Sequence, residues 1–134
     1  MLAVASVLEA DPRVPLLVAT PFCSGMSRTS GPCGAVTGGV IGIGIGLGRD
    51  TTVTSVEPSY DATRRFVEAF ASRFGSRECT QLTGCDLSTP EGRAAYPHSD
   101  ARQRCSEYVR WASECASALA LGLDGPDAEV EEEA

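Results

Sequence analysis

Lysine is absent from this 134-residue chain; all 11 basic residues are arginine, a compositional bias without functional content. More telling absences concern chemistry. No C-x-x-C pair occurs, which excludes a zinc knuckle, a thioredoxin-type motif and a covalent c-haem site. G-x-G-x-x-G, G-x-S-x-G, Walker A and H-E-x-x-H are also missing, so neither a dinucleotide site nor the common hydrolase and metalloprotease signatures are supported. The single histidine, His98, falls in a polar stretch and reads as a solvated loop residue. Positive charge is scarce: 18 acids against 11 bases give a net charge of −7. A surface of that sign argues against nucleic acid as a partner, since phosphate binding needs cations. The longest uncharged stretch, residues 29–48, is Gly-rich and polar at its front, so no membrane insertion is expected. Residues 1–10 are apolar but carry no basic leader, and the expected location is cytoplasmic.

What remains points to a mainly α, small single-domain helical bundle with a central Gly-rich helix, in residues 1–122. An acidic C-terminal tail, residues 123–134, is expected to be disordered. Short helices fit residues 2–9 and 14–22, broken apart at Asp11-Pro12, and residues 23–32 read as a loop. Gly31 suits an N-cap and Pro32 a first helical position. From there Gly34, Gly38, Gly42 and Gly46 recur every four residues and line one helix face. Such a bare face lets a neighbouring helix approach closely, and it is also a candidate surface for pairing with a second copy. Residues 58–74 form an amphipathic stripe through Tyr60, Thr63, Val67, Phe70 and Phe74, with Phe66 beside it and Gly75 as the stop. Ser76 can cap a short helix over 77–83, which Gly84 ends. Residues 86–99 read as a polar loop. A last helix over 101–121 carries Cys105, Tyr108, Val109, Ala112, Ala116 and Leu119 on its apolar stripe.

Six cysteines remain, at positions 23, 33, 79, 85, 105 and 115. In a cytoplasmic setting they are better read as reduced, metal-bound or redox-active than as structural disulfides. Cys105 and Cys115 share a helix about 15 Å apart along its axis, too far to bridge or to ligate one ion together. Any cysteine site must therefore be assembled from different helices. Cys33 is the best single candidate, because free N–H groups and the positive end of the dipole at a helix start stabilise a thiolate. Arg28, five residues upstream, adds positive charge. The competing reading is a buried apolar thiol, which is common for cysteine.

Phe22-Cys23-Ser24-Gly25-Met26-Ser27-Arg28 followed by Cys33-Gly34-Ala35-Val36-Thr37-Gly38 resembles the Gly-rich loop and C-G-A-x-x-G motif of the C-GCAxxG-C-C family. The segments around Cys79 to Cys85 and Cys105 to Val109 follow in the same order. The resemblance implies a helical redox-active protein acting through a cysteine cluster, with an iron–sulfur cluster or zinc as the implied cofactor. Its second, third and fourth cysteines correspond to Cys33, Cys79 and Cys105, which become the catalytic and metal-ligand candidates. The family's first cysteine has no counterpart here, and Cys23 or Cys85 is the candidate fourth member. An oxidoreductase is the expected class of partner. Two rival functions remain open: a metal-free thiol–disulfide sensor or exchange protein, and a helical interaction module with purely structural cysteines.

Overall fold

A computed structural model describes residues 1–126 and shows a helical protein with no strand among the described residues. Seven right-handed α-helices follow in order: α1 (Leu2–Val7), α2 (Arg13–Ala19), α3 (Gly34–Leu47), α4 (Glu57–Phe74), α5 (Cys79–Thr83), α6 (Pro90–Ala95) and α7 (Ala101–Ala120). Short 3-10 turns cover Thr20–Phe22 and Tyr96–His98. No helix among the described residues is long and apolar enough to cross a membrane. The acidic tail lies outside the described residues from position 127 onward. Its first part is placed, with Asp124 paired to Arg65 at 2.8 Å.

The Gly-rich segment is a helix, and α3 runs through the centre with α7, α4 and α1 as its main neighbours. Its glycines explain how three helices reach one axis. A Cβ on Gly39 would run into the ring of fully buried Phe66 on α4. One on Gly42 would lie 2.7 Å from Val4 Cγ2 on α1, and one on Gly46 would lie 2.9 Å from Ala120 Cβ on α7. Gly38 faces Met1 at ordinary contact distance, and Gly44 faces open space. The face proposed for a second copy is thus largely occupied within the chain. Gly42→Ala should cost about 1–3 kcal/mol through overpacking against Val4. Gly44→Ala should stabilise by up to about 1 kcal/mol, since alanine is the better helix former. Urea midpoints of the two variants, moving in opposite directions, check both.

Across α4 and α7 an aromatic cluster closes the core. Phe66 stacks on Trp111 with centroids 6.2 Å apart, and Phe74 meets Tyr108 edge-on at 4.8 Å. Relative to the sequence expectation both stripes are rotated. Tyr60 and Val109 are exposed, whereas Phe66, Trp111 and Cys115 are buried. Aromatic payload decides this: facing Phe66 and Trp111 inward removes more apolar area from water than facing Tyr60 and Val109 inward. Gly75 and Gly84 end their helices in left-handed conformation, as their spacing predicts.

Two further differences bear on the site. Residues 86–99 are not an unstructured loop, because α6 and the Tyr96–His98 turn lie within them. Thr89 caps α6 by accepting the Gly92 N–H at 3.0 Å, and Pro90 takes the first helical position. Residues 24–27 form a left-handed turn, with φ between 46° and 62° throughout, continued by Arg28 at φ 68°. Such conformations cost L-residues about 1–2 kcal/mol each, so consecutive ones persist only when the surroundings hold them. Here the holding contacts are visible. The Ser27 hydroxyl donates to the Pro21 carbonyl at 2.7 Å, and the Gly31 N–H donates to the Gly25 carbonyl at 3.1 Å. The Ser30 hydroxyl donates to Asp86 at 2.7 Å, and this bond is the chief reason that carboxyl titrates below its ordinary range.

Candidate functional site

The segments carrying Cys33 and Cys79 are tied together before either helix begins. Pro32 and Glu78 form an isolated antiparallel bridge. The Cys33 N–H donates to the Arg77 carbonyl at 2.7 Å, and the Cys79 N–H donates to the Gly31 carbonyl at 3.2 Å. This bridge corrects the expected helix starts. Gly31 and Pro32 are in the bridge, Cys33 is the N-cap of α3, and α5 begins at Cys79. Ser76 accepts the Glu78 N–H instead of capping from position 77. In this register Cys33 and Cys79 are diagonal neighbours on one face of the bridge. Sheet geometry sets such pairs at roughly 7–8 Å between Cα atoms, slightly beyond what a disulfide spans.

Cys105 reaches the same place from α7. The anchor is a clamp on α5, a five-residue helix too short to hold itself. Arg104 donates to the Leu82 and Thr83 carbonyls at 2.7 and 3.0 Å, and the Tyr108 hydroxyl donates to Leu82 at 3.0 Å. The orphan carbonyls of α5 are thereby satisfied by side chains flanking Cys105 in sequence. On the opposite wall the left-handed turn presses on Cys79. A Cβ on Gly25 would sit 2.9 Å from Cys79 Cβ, and one on Gly34 would sit 3.4 Å from Cys23 Cα.

The result is a cavity of about 450 Å³ lined by Cys33, Cys79, Cys105 and Cys23, together with Thr83, Tyr96, Arg28 and Arg93. Cys33 and Cys79 are buried, Cys105 is half-buried and Cys23 is exposed. Cys85 does not line the cavity; it is buried beside Ser99, with 3.8 Å between Sγ and the hydroxyl. Cys115 belongs to the core. His98 is exposed and lies outside the cavity lining.

Burial works against the thiolate expected at Cys33. Its thiol is pushed up by burial; N–H groups of Ala35 and Val36 act in the other direction but are outweighed. The helix-start donors are present as the sequence suggests, and desolvation wins. Cys79 is raised to about 11, first by burial and then by repulsion from Cys33 and Cys105. Tyr96, which the sequence reading did not single out, donates its hydroxyl to Cys105 Sγ at 3.5 Å. Chiefly through that bond its own proton is held up to about 12. The signal that could have found it is Thr89-Pro90-Glu91, a helix-start pattern that turns a supposed loop into a positioned wall.

The Cys79 shift gives a pH prediction. Between pH 9 and about 11 the unfolded chain loses the Cys79 proton before the folded chain does, so stability falls as pH rises through that window. Below pH 9 the thiol is protonated in both states and contributes no slope. Denaturation midpoints across pH 8–11 should decline less steeply in Cys79→Ser.

Thiolate donors have the right chemistry for zinc or iron–sulfur ligation. Their placement does not fit: among the described residues no three His, Cys, Asp or Glu side chains are gathered closely enough to hold a metal ion.

A helical protein with thiols from three helices around one cavity is the class that these observations define. Over residues 1–119 the chain matches the family described as "Putative redox-active protein (C_GCAxxG_C_C)", and it belongs to that family. No curated protein and no solved structure matches it.

Proposed function

We propose that the protein acts by metal-free thiol–disulfide exchange through Cys33, Cys79 and Cys105. The supporting observation is that three thiols far apart in sequence share one cavity. Cys105 is the attacking sulfur, because it is less buried than the other two and receives the Tyr96 hydroxyl. Cys79 resolves, and Cys33 stands beside it across the bridge without taking part in the disulfide. The Cys105 thiolate attacks one sulfur of an external disulfide, whose S–S bond breaks, and the departing thiolate takes a proton. Cys79 then attacks the mixed disulfide, leaving one internal S–S bond and releasing the second external thiol. Two protein thiols are oxidised and one external disulfide is reduced to two thiols.

A metal centre is the second reading. The observation in its favour is that three soft thiol donors line one cavity, and it requires them to draw closer than they stand in this structure. Anaerobic purification followed by a visible spectrum, metal analysis and thiol counts separates the readings. Loss of two thiols on mild oxidation, restored by reductant and without metal, supports exchange. Charge-transfer bands or stoichiometric zinc move the function to a metal centre. Six inert thiols overturn both and leave an interaction module. Location in the cytoplasm and an oxidoreductase partner belong to the same proposal.

A further inference from the structure

The cavity wall runs against the charge of the whole molecule. Net charge is −7, yet the charged residues lining the cavity are two arginines, Arg28 and Arg93, with no Asp or Glu. Among the described residues neither arginine has a carboxylate within ion-pair distance. Arg64, Arg65 and Arg104 are paired; Arg13, Arg49, Arg77, Arg102 and Arg110 likewise have no carboxylate within ion-pair distance among the described residues, but they do not line the cavity. Arg93 is steadied by donating to the Leu87 carbonyl at 3.0 Å, which leaves most of its fork of donors unused. Arg28 is carried on the end of the left-handed turn, which is fixed at its base by Ser27 and at its far side by Ser30 and Asp86. Two guanidinium groups on separate elements, without a carboxylate partner among the described residues, therefore flank the same space as the thiols. Elsewhere the wall is apolar or neutral, including Ala35, Leu87 and Val109. Both arginines are exposed to solvent at the cavity rim, where charges of one sign raise the local concentration of counter-charged solutes.

From this we infer that the cavity is a substrate site for small disulfides bearing carboxylates, held by Arg28 and Arg93 with the S–S bond over Cys105. This rests on the exchange reading above and names its substrate class. Arginine matches a carboxylate in two-point geometry, which fixes the orientation of the bound molecule. Electrons and atoms balance as in that exchange: the carboxylate-bearing disulfide gains two electrons and two protons and leaves as two thiols, while Cys105 and Cys79 become one disulfide. The arginines touch only the carboxylates.

Three small linear disulfides of different charge, each with a two-methylene arm on sulfur, test the inference on the reduced full chain: 3,3′-dithiodipropionate (anionic), bis(2-hydroxyethyl) disulfide (neutral) and cystamine (cationic). The readout is the ratio of the anionic to the neutral rate constant, which cancels any general change in thiol reactivity. Wild type should prefer the anionic disulfide by at least about tenfold, the size of one charge-assisted hydrogen bond. In R28A/R93A the ratio should fall to about one, with the cationic disulfide gaining relative to the anionic. A ratio equal in both proteins, or a wild-type preference for cystamine, overturns the anion site while the exchange reading stands. Failure of all three disulfides to oxidise the protein overturns both. R28K/R93K should retain part of the preference, because charge persists while two-point geometry is lost.

Discussion

Replacing Cys79 by serine is expected to abolish the reversible loss of two thiols on oxidation, and replacing Cys105 is expected to slow the first step by a hundredfold or more. The two variants differ because the roles differ. Without Cys105 the attacking sulfur beside Tyr96 is gone; Cys33 and Cys79 are buried, and Cys23 is exposed at the rim with no Tyr96 hydroxyl beside it. Without Cys79 the first attack proceeds but the mixed disulfide persists, so mass spectrometry should find one external thiol attached at Cys105. Cys33→Ser should leave the intramolecular disulfide between Cys79 and Cys105 intact. Cys115→Ser should leave exchange untouched, since that thiol sits in the core away from the cavity lining. An adduct that accumulates in wild type, or Cys79→Ser that still loses two thiols reversibly, refutes the assignment. Tyr96→Phe is the finer test. It keeps the ring and removes the donor, so it should slow the attack by roughly tenfold, the value of a hydrogen bond to a charged group.

Much of this architecture is legible in the chain itself. Helix stops at Gly75 and Gly84 and the four-residue glycine spacing are local signals. They hold because a left-handed C-cap or a bare helix face is a demand of the backbone at that position. What the sequence hides is set by partners distant along the chain. Pro32 is well suited to a first helical turn, but pairing with Glu78 delays the helix to Gly34. The facing of α7 follows from aromatic partners on α4, so Trp111 and Cys115 turn inward and Cys105 is left at the cavity edge. Cys33 shows the same limit in electrostatics. Its helix-start N–H donors can be anticipated locally, whereas the burial that outweighs them comes from the assembled fold. The convergence of Cys33, Cys79 and Cys105 on one cavity is not a matter of periodicity at all. It depends on the 32–78 bridge and on the Arg104 clamp over α5.

Gly25→Ala should damage the wall of the thiol cavity directly, because backbone conformation and packing both oppose the added methyl. Gly25 has φ +62°, where an L side chain costs about 1–2 kcal/mol. The added Cβ would also meet Cys79 Cβ at 2.9 Å and the Gly31 carbonyl oxygen at 3.2 Å, and overpacking of this kind costs about 1–3 kcal/mol. Together these terms predict a loss of about 2–5 kcal/mol in a denaturant titration. Function should suffer more locally than stability does globally. The turn is the wall that presses on Cys79, so relief comes by lifting it away, which lets solvent reach the thiol. Alkylation of Cys79 at pH 8 should therefore accelerate in Gly25→Ala under conditions where the rest of the chain is still folded by far-UV circular dichroism. Ser24→Gly supplies the opposite case. Ser24 also sits at positive φ, with no hydrogen bond from its side chain among those seen in the turn, so glycine should relieve strain and stabilise by about 1 kcal/mol. If Gly25→Ala keeps wild-type stability and leaves Cys79 as slow to alkylate as before, the left-handed turn is not what seals the thiol cavity.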